Sequence, residues 1–170
     1  EGCQSIGRVC PDGEWPVDLP TDSPIVYVKP GATGDGSTAS NPMGSIQNAH
    51  DTAPEGAMIA LAKGVYQEDL ILEKSVAIRG ACATETTITS VTPMTPGYDD
   101  TDLDTVYEGA IHITGDGHKL IEDISVTGDR MGIVAHEAPG PGELKGVWVH
   151  EAVAHGIMSA GGSTQLHIEN

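Results

Sequence analysis

The sequence predicts an all-β chain wound as a parallel β-helix, and three observations predict it. Apolar positions return at one period: Ile111, Ile133 and Ile157 are 22 and 24 residues apart, and Ile121, Leu144 and Ile168 are 23 and 24 apart. A third series, Ile124-Ser125-Val126 and Val147-Trp148-Val149, repeats at 23. Series that share a period imply coils stacked in register, because one coil cannot bury its apolar face and a stack of them can. After residue 57 no helical pattern separates the β-runs, which excludes βαβ crossovers, and 22 Gly with 11 Pro favour many short elements joined by turns.

Taken in order, residues 1–24 read as an irregular leader with four prolines and no apolar periodicity. Cys3 and Cys10 lie in it and can close a small disulfide loop, which suits an oxidising compartment. Cys82, in an Ala-rich strand context, reads as a small buried hydrophobe. Residues 25–56 hold a β-rich run, Ile25 to Val28, then a loop of small polar residues from Gly31 to Gly44. A capping helix follows from Ile46 to Ala53, N-capped by Ser45 and ended by Pro54-Glu55-Gly56. Residues 57–170 are the coils, of about 22–24 residues each. Their β-runs include 58–61, 70–72, 75–78, 87–89, 110–113, 124–126, 147–149 and 166–168, with others opening at Ile133 and Ile157. The last run is still open at Asn170, so further coils are expected beyond it, or a partner pairing with the open edge.

Charge narrows the partners. The formal net charge is −17, from 25 acidic and 8 basic side chains, which argues against nucleic acid and anionic membrane surfaces. No apolar run approaches the ~20 residues of a membrane span. Scattered acids are a solvated surface, with Ca²⁺ the cofactor to consider where they cluster.

Several local patterns then carry a resemblance. Asn41-Pro42, Ile46-Gln47-Asn48-Ala49 and Gly64-Val65-Tyr66-Gln67-Glu68 stand in one stretch. That stretch resembles the opening of the pectin-lyase-like right-handed β-helix superfamily, and the likeness covers about residues 25–170. It implies a right-handed coil with a short helix over its first end. It implies little about activity, since such scaffolds carry lyases, glycosidases, isomerases, adhesins and inert modules. The lyases of the superfamily use acids that bind Ca²⁺ and an Arg or Lys base. Here the strand-borne bases are Arg79, Lys119, Arg130 and Lys145, and none stands in a matching motif. The glycosidase pattern of Asn-x-Asp, paired Asp, Gly-His and Arg-x-Lys is missing, with Gly117-His118 alone and read as a turn.

Four clusters remain. Glu122, Lys145 and Glu169 recur on one outward column, with the two carboxylates ~9.6 Å apart over two rungs; a charge ladder is preferred to an acid–base pair. Asp123, Gly146 and Asn170 follow at the next position and read as corner residues that satisfy backbone groups. Trp148 points outward by alternation beside His150, with Glu151 and His155 one turn on. An indole is a platform for a sugar face and imidazoles bond hydroxyls; the competing reading puts the indole under a loop at 138–142. Asp99, Asp100, Asp102 and Asp104 crowd the longest insertion, where several carboxylates in one loop are a candidate Ca²⁺ site, although no EF-hand pattern is present; Asp35 is a weaker second.

These features predict an extracellular or cell-surface module, of the bacterial cell-surface kind, that acts as a scaffold or binds a polysaccharide or surface glycan. Two alternatives accompany it. One is the N-terminal part of a polysaccharide lyase or glycoside hydrolase. The other is a self-assembling surface protein that associates through its coil edge.

Overall fold

The computed structural model describes residues 6–95, 108–161 and 165–169. It is all-β apart from a single described helix. The elements in order are β1 (Ile25–Val28), α1 (Ile46–Thr52), β2 (Ala57–Leu61), β3 (Gly64–Gln67), β4 (Leu70–Leu72), β5 (Val76–Gly80) and β6 (Thr86–Thr89). Then come β7 (Gly109–Ile113), β8 (Lys119–Glu122), β9 (Ser125–Gly128), β10 (Met131–His136), β11 (Pro141–Lys145), β12 (Trp148–Ala152), β13 (Ile157–Ala160) and β14 (Gln165–Glu169).

The strands form three parallel sheets. The first runs β1-β2-β5-β8-β11-β14, the second β3-β6-β9-β12 and the third β4-β7-β10-β13. From β2 onward, consecutive strands visit the three sheets in turn and every third strand returns beside its predecessor. The register matches the sequence period residue for residue. Ile111 pairs with Ile133 and Ile133 with Ile157; Ile121 pairs with Leu144 and Leu144 with Ile168; Ser125 pairs with Trp148.

Alternate residues of all three sheets enter one hydrophobic cluster: Ile59, Ile78, Ile121 and Leu144 from the first, Tyr66, Ile88 and Val126 from the second, Leu70, Ile111 and Ile133 from the third. Strand side chains alternate between faces, so each strand from β2 to β11 lends one to three residues to this core. A fully buried Ile stabilises by about 1.5–3 kcal/mol, and stacking like on like gives each one a complete apolar surrounding.

The helix lies over the first strands because three side chains hold it there. Ser45 N-caps it, accepting the Asn48 N–H at 3.2 Å. Glu68, just past β3, accepts the Ser45 hydroxyl at 2.7 Å and the Ile46 and Gln47 N–H groups at 2.9 and 3.1 Å. Gln47 then bonds both backbone groups of Ile71, its amide accepting the N–H at 2.8 Å and donating to the carbonyl at 3.1 Å. An edge strand needs partners of this kind, and one glutamine supplies a donor and an acceptor to β4. At the other end Lys74 donates to the carbonyls of Asp51 and Ala53 at 3.0 and 2.6 Å, which satisfies the helix C-terminus. Tyr66 is buried, its hydroxyl near the carbonyls of Val28 and Ala62, and burial pushes its pKa up.

The leader corrects the sequence reading. Cys10 is bonded to Cys82, 72 positions further along the chain, with Cα atoms 5.0 Å apart, so it does not close a loop with Cys3. Cys3 lies outside the described residues. Cys82 is buried, as expected of it, but as half of a crosslink. From residue 7 to residue 18 the leader is a strap tied to the corners where the first sheet passes into the second. Gly7 abuts Gly146, Arg8 meets Asp123, Cys10 meets Cys82, and the Pro11 carbonyl accepts Lys63 Nζ at 2.6 Å. Glu14 pairs with Lys29 at 2.9 Å and Trp15 packs edge-on to Tyr27. Local irregularity hid this strap, because its partners lie one strand pass after another along the stack.

Candidate functional site

Trp148 and His150 are the first and third residues of β12. The sheet register runs Trp148 to Ser125 and Val149 to Val126, then shifts so that Ala152 faces Gly128. The shift is a bulge: Glu151 takes a left-handed φ of 54°, and two residues on β12 oppose one on β9. Both rings come out on the same face with centroids 4.2 Å apart, tilted by 33°. Trp148 is 41% exposed, so no loop buries it. The segment expected to cover it, 138–142, instead runs into β11.

Glu151 approaches the pair, its carboxylate 3.9 Å from His150 Nδ1, on a side chain that is 83% exposed. His155 does not join them. It lies in the turn before β13, where its carbonyl accepts the Gly132 N–H at 3.0 Å, and among the described residues no bond or ring contact links its imidazole to Trp148. The arrangement therefore brings together Trp148, His150 and Glu151 and leaves His155 as a turn residue.

Sequence reasoning missed what lies above this pair on the same sheet. Ile88 and Val126 are in the core, so Thr87, Thr89, Ser125 and Thr127 face the other way. In register, Val65, Thr87, Ser125 and Trp148 form one row, and Gln67, Thr89 and Thr127 form a second that ends at the bulge of His150 and Glu151. The Thr87 and Ser125 hydroxyls are 2.8 Å apart and hydrogen bonded. The signal was present as Thr-Ile-Thr and Ser-Val-Thr, but only pairing shows that the two motifs are neighbours.

The predicted charge ladder exists in register, Arg79 to Glu122 to Lys145 to Glu169. Its bonds differ from expectation. Glu122 is buried against Arg79 at 2.5 Å, and Lys145 turns to Glu143 at 2.6 Å, a hydrogen bond that raises the Lys145 pKa. Asp123 does satisfy a backbone group, the Arg8 N–H at 2.8 Å.

The four bases expected on strands are all engaged, although Arg130 lies in the bend between β9 and β10. Arg79 and Lys145 are in the ion pairs above. Lys119 takes a core-facing position beside Val76, is fully buried, and donates to the Thr114 and Gly115 carbonyls; desolvation lowers its pKa. Arg130 sits between Asp69 at 3.4 Å and Glu108 at 3.6 Å.

Asp99, Asp100, Asp102 and Asp104 lie outside the described residues, but both sides of their insertion are described. Thr95 and Glu108 close its base: the Thr95 N–H donates to Glu108 at 2.7 Å and the Thr95 hydroxyl donates to the same carboxylate. That hydroxyl bond holds Glu108 below the usual carboxylate range. Asp35 accepts the Ser37 N–H at 2.9 Å and the Asn41 amide at 2.8 Å, which makes it a turn-former. Among the described residues the one metal-reach grouping, Cys10, Cys82 and Glu85, has its two sulfurs bonded to each other. No described helix is long and apolar enough to cross a membrane.

Compared with protein-family models, with curated proteins and with solved structures, the chain finds no match in any of the three.

Proposed function

We propose that this chain is a secreted or cell-surface module, a right-handed parallel β-helix of the pectin-lyase-like kind, that serves as a scaffold and binds polysaccharide. The observation that carries the binding is the exposed indole of Trp148 held against His150 at 4.2 Å beside the β12 bulge. A rigid aromatic plate beside a hydrogen-bonding ring suits a sugar, whose C–H face stacks and whose hydroxyls bond. The coiled arrangement is supported by strands that visit three parallel sheets in rotation and share one core. Secretion is supported by the Cys10–Cys82 bond, which persists in oxidising compartments.

Binding is preferred to catalysis because Arg79, Lys119, Arg130 and Lys145 each already have a partner. A glycan array probed with the protein and with Trp148→Ala tests the proposal. Binding to at least one glycan that the variant loses supports it; an array with no ligand, or one indifferent to the substitution, overturns it.

A further inference from the structure

The rows above Trp148 bear on which polysaccharide would bind. We infer that the whole outward face of β3, β6, β9 and β12 is a docking surface for an uncharged polysaccharide lying across the strands, an inference that rests on the glycan-binding role of Trp148.

Between Val65 and Trp148 the two rows present Gln67, Thr87, Thr89 and Thr127, while Ser125 is buried and bonded to Thr87. Each of these side chains both donates and accepts hydrogen bonds, as sugar hydroxyls do. Neighbouring strands repeat them every ~4.8 Å, the same order as the length of a pyranose ring, so successive sugars meet equivalent groups. At the β3 end the face runs into a recess of about 320 Å³ lined by Gly31, Ser45, Val65, Gln67 and Glu68. At the β12 end stand Trp148 and His150. The face is thus bounded at both ends by features suited to a sugar.

Its charge selects the ligand class. Among the described residues neither row contains Lys, Arg, Asp or Glu, and the charged groups bordering its two ends, Glu68 and Glu151, are acidic. The chain as a whole carries −17. A polyuronate or sulfated chain would approach a surface of its own sign whose flanking cations, Lys63 and Arg130, are held by Glu85 and by Asp69 and Glu108, whereas a neutral glucan, mannan or chitin chain suffers no such repulsion.

The experiment is calorimetric titration of the protein, Trp148→Ala and Thr89→Glu with soluble β-glucan, chitohexaose, mannan and polygalacturonate, with circular dichroism confirming that both variants fold. Expected are binding to a neutral glycan that is unchanged between about 0.05 and 0.5 M salt, no binding to polygalacturonate, and at least about tenfold weaker binding in each variant. Thr89 lies two strands from Trp148, so loss in Thr89→Glu reports a ligand that spans the face. Trp148-dependent binding confined to polygalacturonate, or neutral binding untouched by Thr89→Glu, would overturn the inference and leave Trp148 as a sugar platform. Absence of any Trp148-dependent binding would remove both.

Discussion

The Arg8 guanidinium meets the Asp123 carboxylate at 2.5 Å across 115 positions of sequence. Asp123 sits at a corner between the first and second sheets with a φ of 54°, and its side chain is only 4% exposed. The carboxylate also accepts the Arg8 backbone N–H at 2.8 Å, and Glu122 lies 3.7 Å from the same guanidinium. One corner residue therefore anchors the leader to the third pass of strands.

Asp123→Ala is expected to destabilise by about 2–3 kcal/mol, from charge-assisted bonds lost and a left-handed backbone that alanine dislikes. Asp123→Asn keeps an acceptor and tolerates the same φ, so it should cost about half as much. Urea unfolding of the two variants measures the difference; equal midpoints would mean that the strap bond carries no stability.

Reduction of the Cys10–Cys82 bond, or Cys10→Ser, is expected to cost about 4 kcal/mol, since a crosslink over 72 residues removes much unfolded-chain entropy. Peptide mapping under non-reducing conditions should find Cys10 linked to Cys82. A Cys3–Cys10 peptide would contradict the pairing.

Glu68→Ala should release the Ser45 hydroxyl and two helix N–H groups, at a cost of about 2 kcal/mol. Hydrogen exchange should speed up in α1 and at Ile71, whose backbone depends on Gln47. If protection at Ile71 is unchanged, Glu68 does not position the helix against β4.

Stability should fall in mild acid. His112 is partly buried in the third sheet, its Nε2 without a hydrogen-bond partner among the described residues, and its ring is stacked at 6.4 Å against His136. Desolvation, then the charges of His136 and Arg130, hold its pKa below the ordinary value of 6.5. A folded-state pKa below the unfolded one means that the unfolded chain takes the proton first. The full contribution is therefore present above about pH 6.5 and declines as pH falls below it. The melting temperature followed from pH 8 to 5 checks this, and His112→Gln should flatten the decline. An equal decline in the variant would assign the effect to other groups.

Much of the architecture was legible because periodicity is a property of spacing. Ile111, Ile133 and Ile157 announce a repeated strand position whatever their neighbours are, and the sheets pair them in that order. The capping helix was equally readable, because Ser45 and Pro54-Glu55-Gly56 act within a few residues of the turns they start and stop. Several strands were harder. Lys119 occupies a core-facing strand position, and a lysine there looks like a surface residue until the Thr114 and Gly115 carbonyls are found beside its ammonium.

The sequence by itself determined the spacing of paired strand positions, the register of the parallel sheets, the outward direction of Trp148 and the acidic balance, because these follow from alternation, spacing and composition. Only the tertiary structure decided the partner of Cys10, the path of the leader, the separation of His155 from Trp148 and the union of Thr87 with Ser125. Each of those depends on which residues, tens of positions apart, are brought within bonding distance. In a stack of parallel strands that distance is set by the loops between passes, whose lengths vary and carry no period of their own.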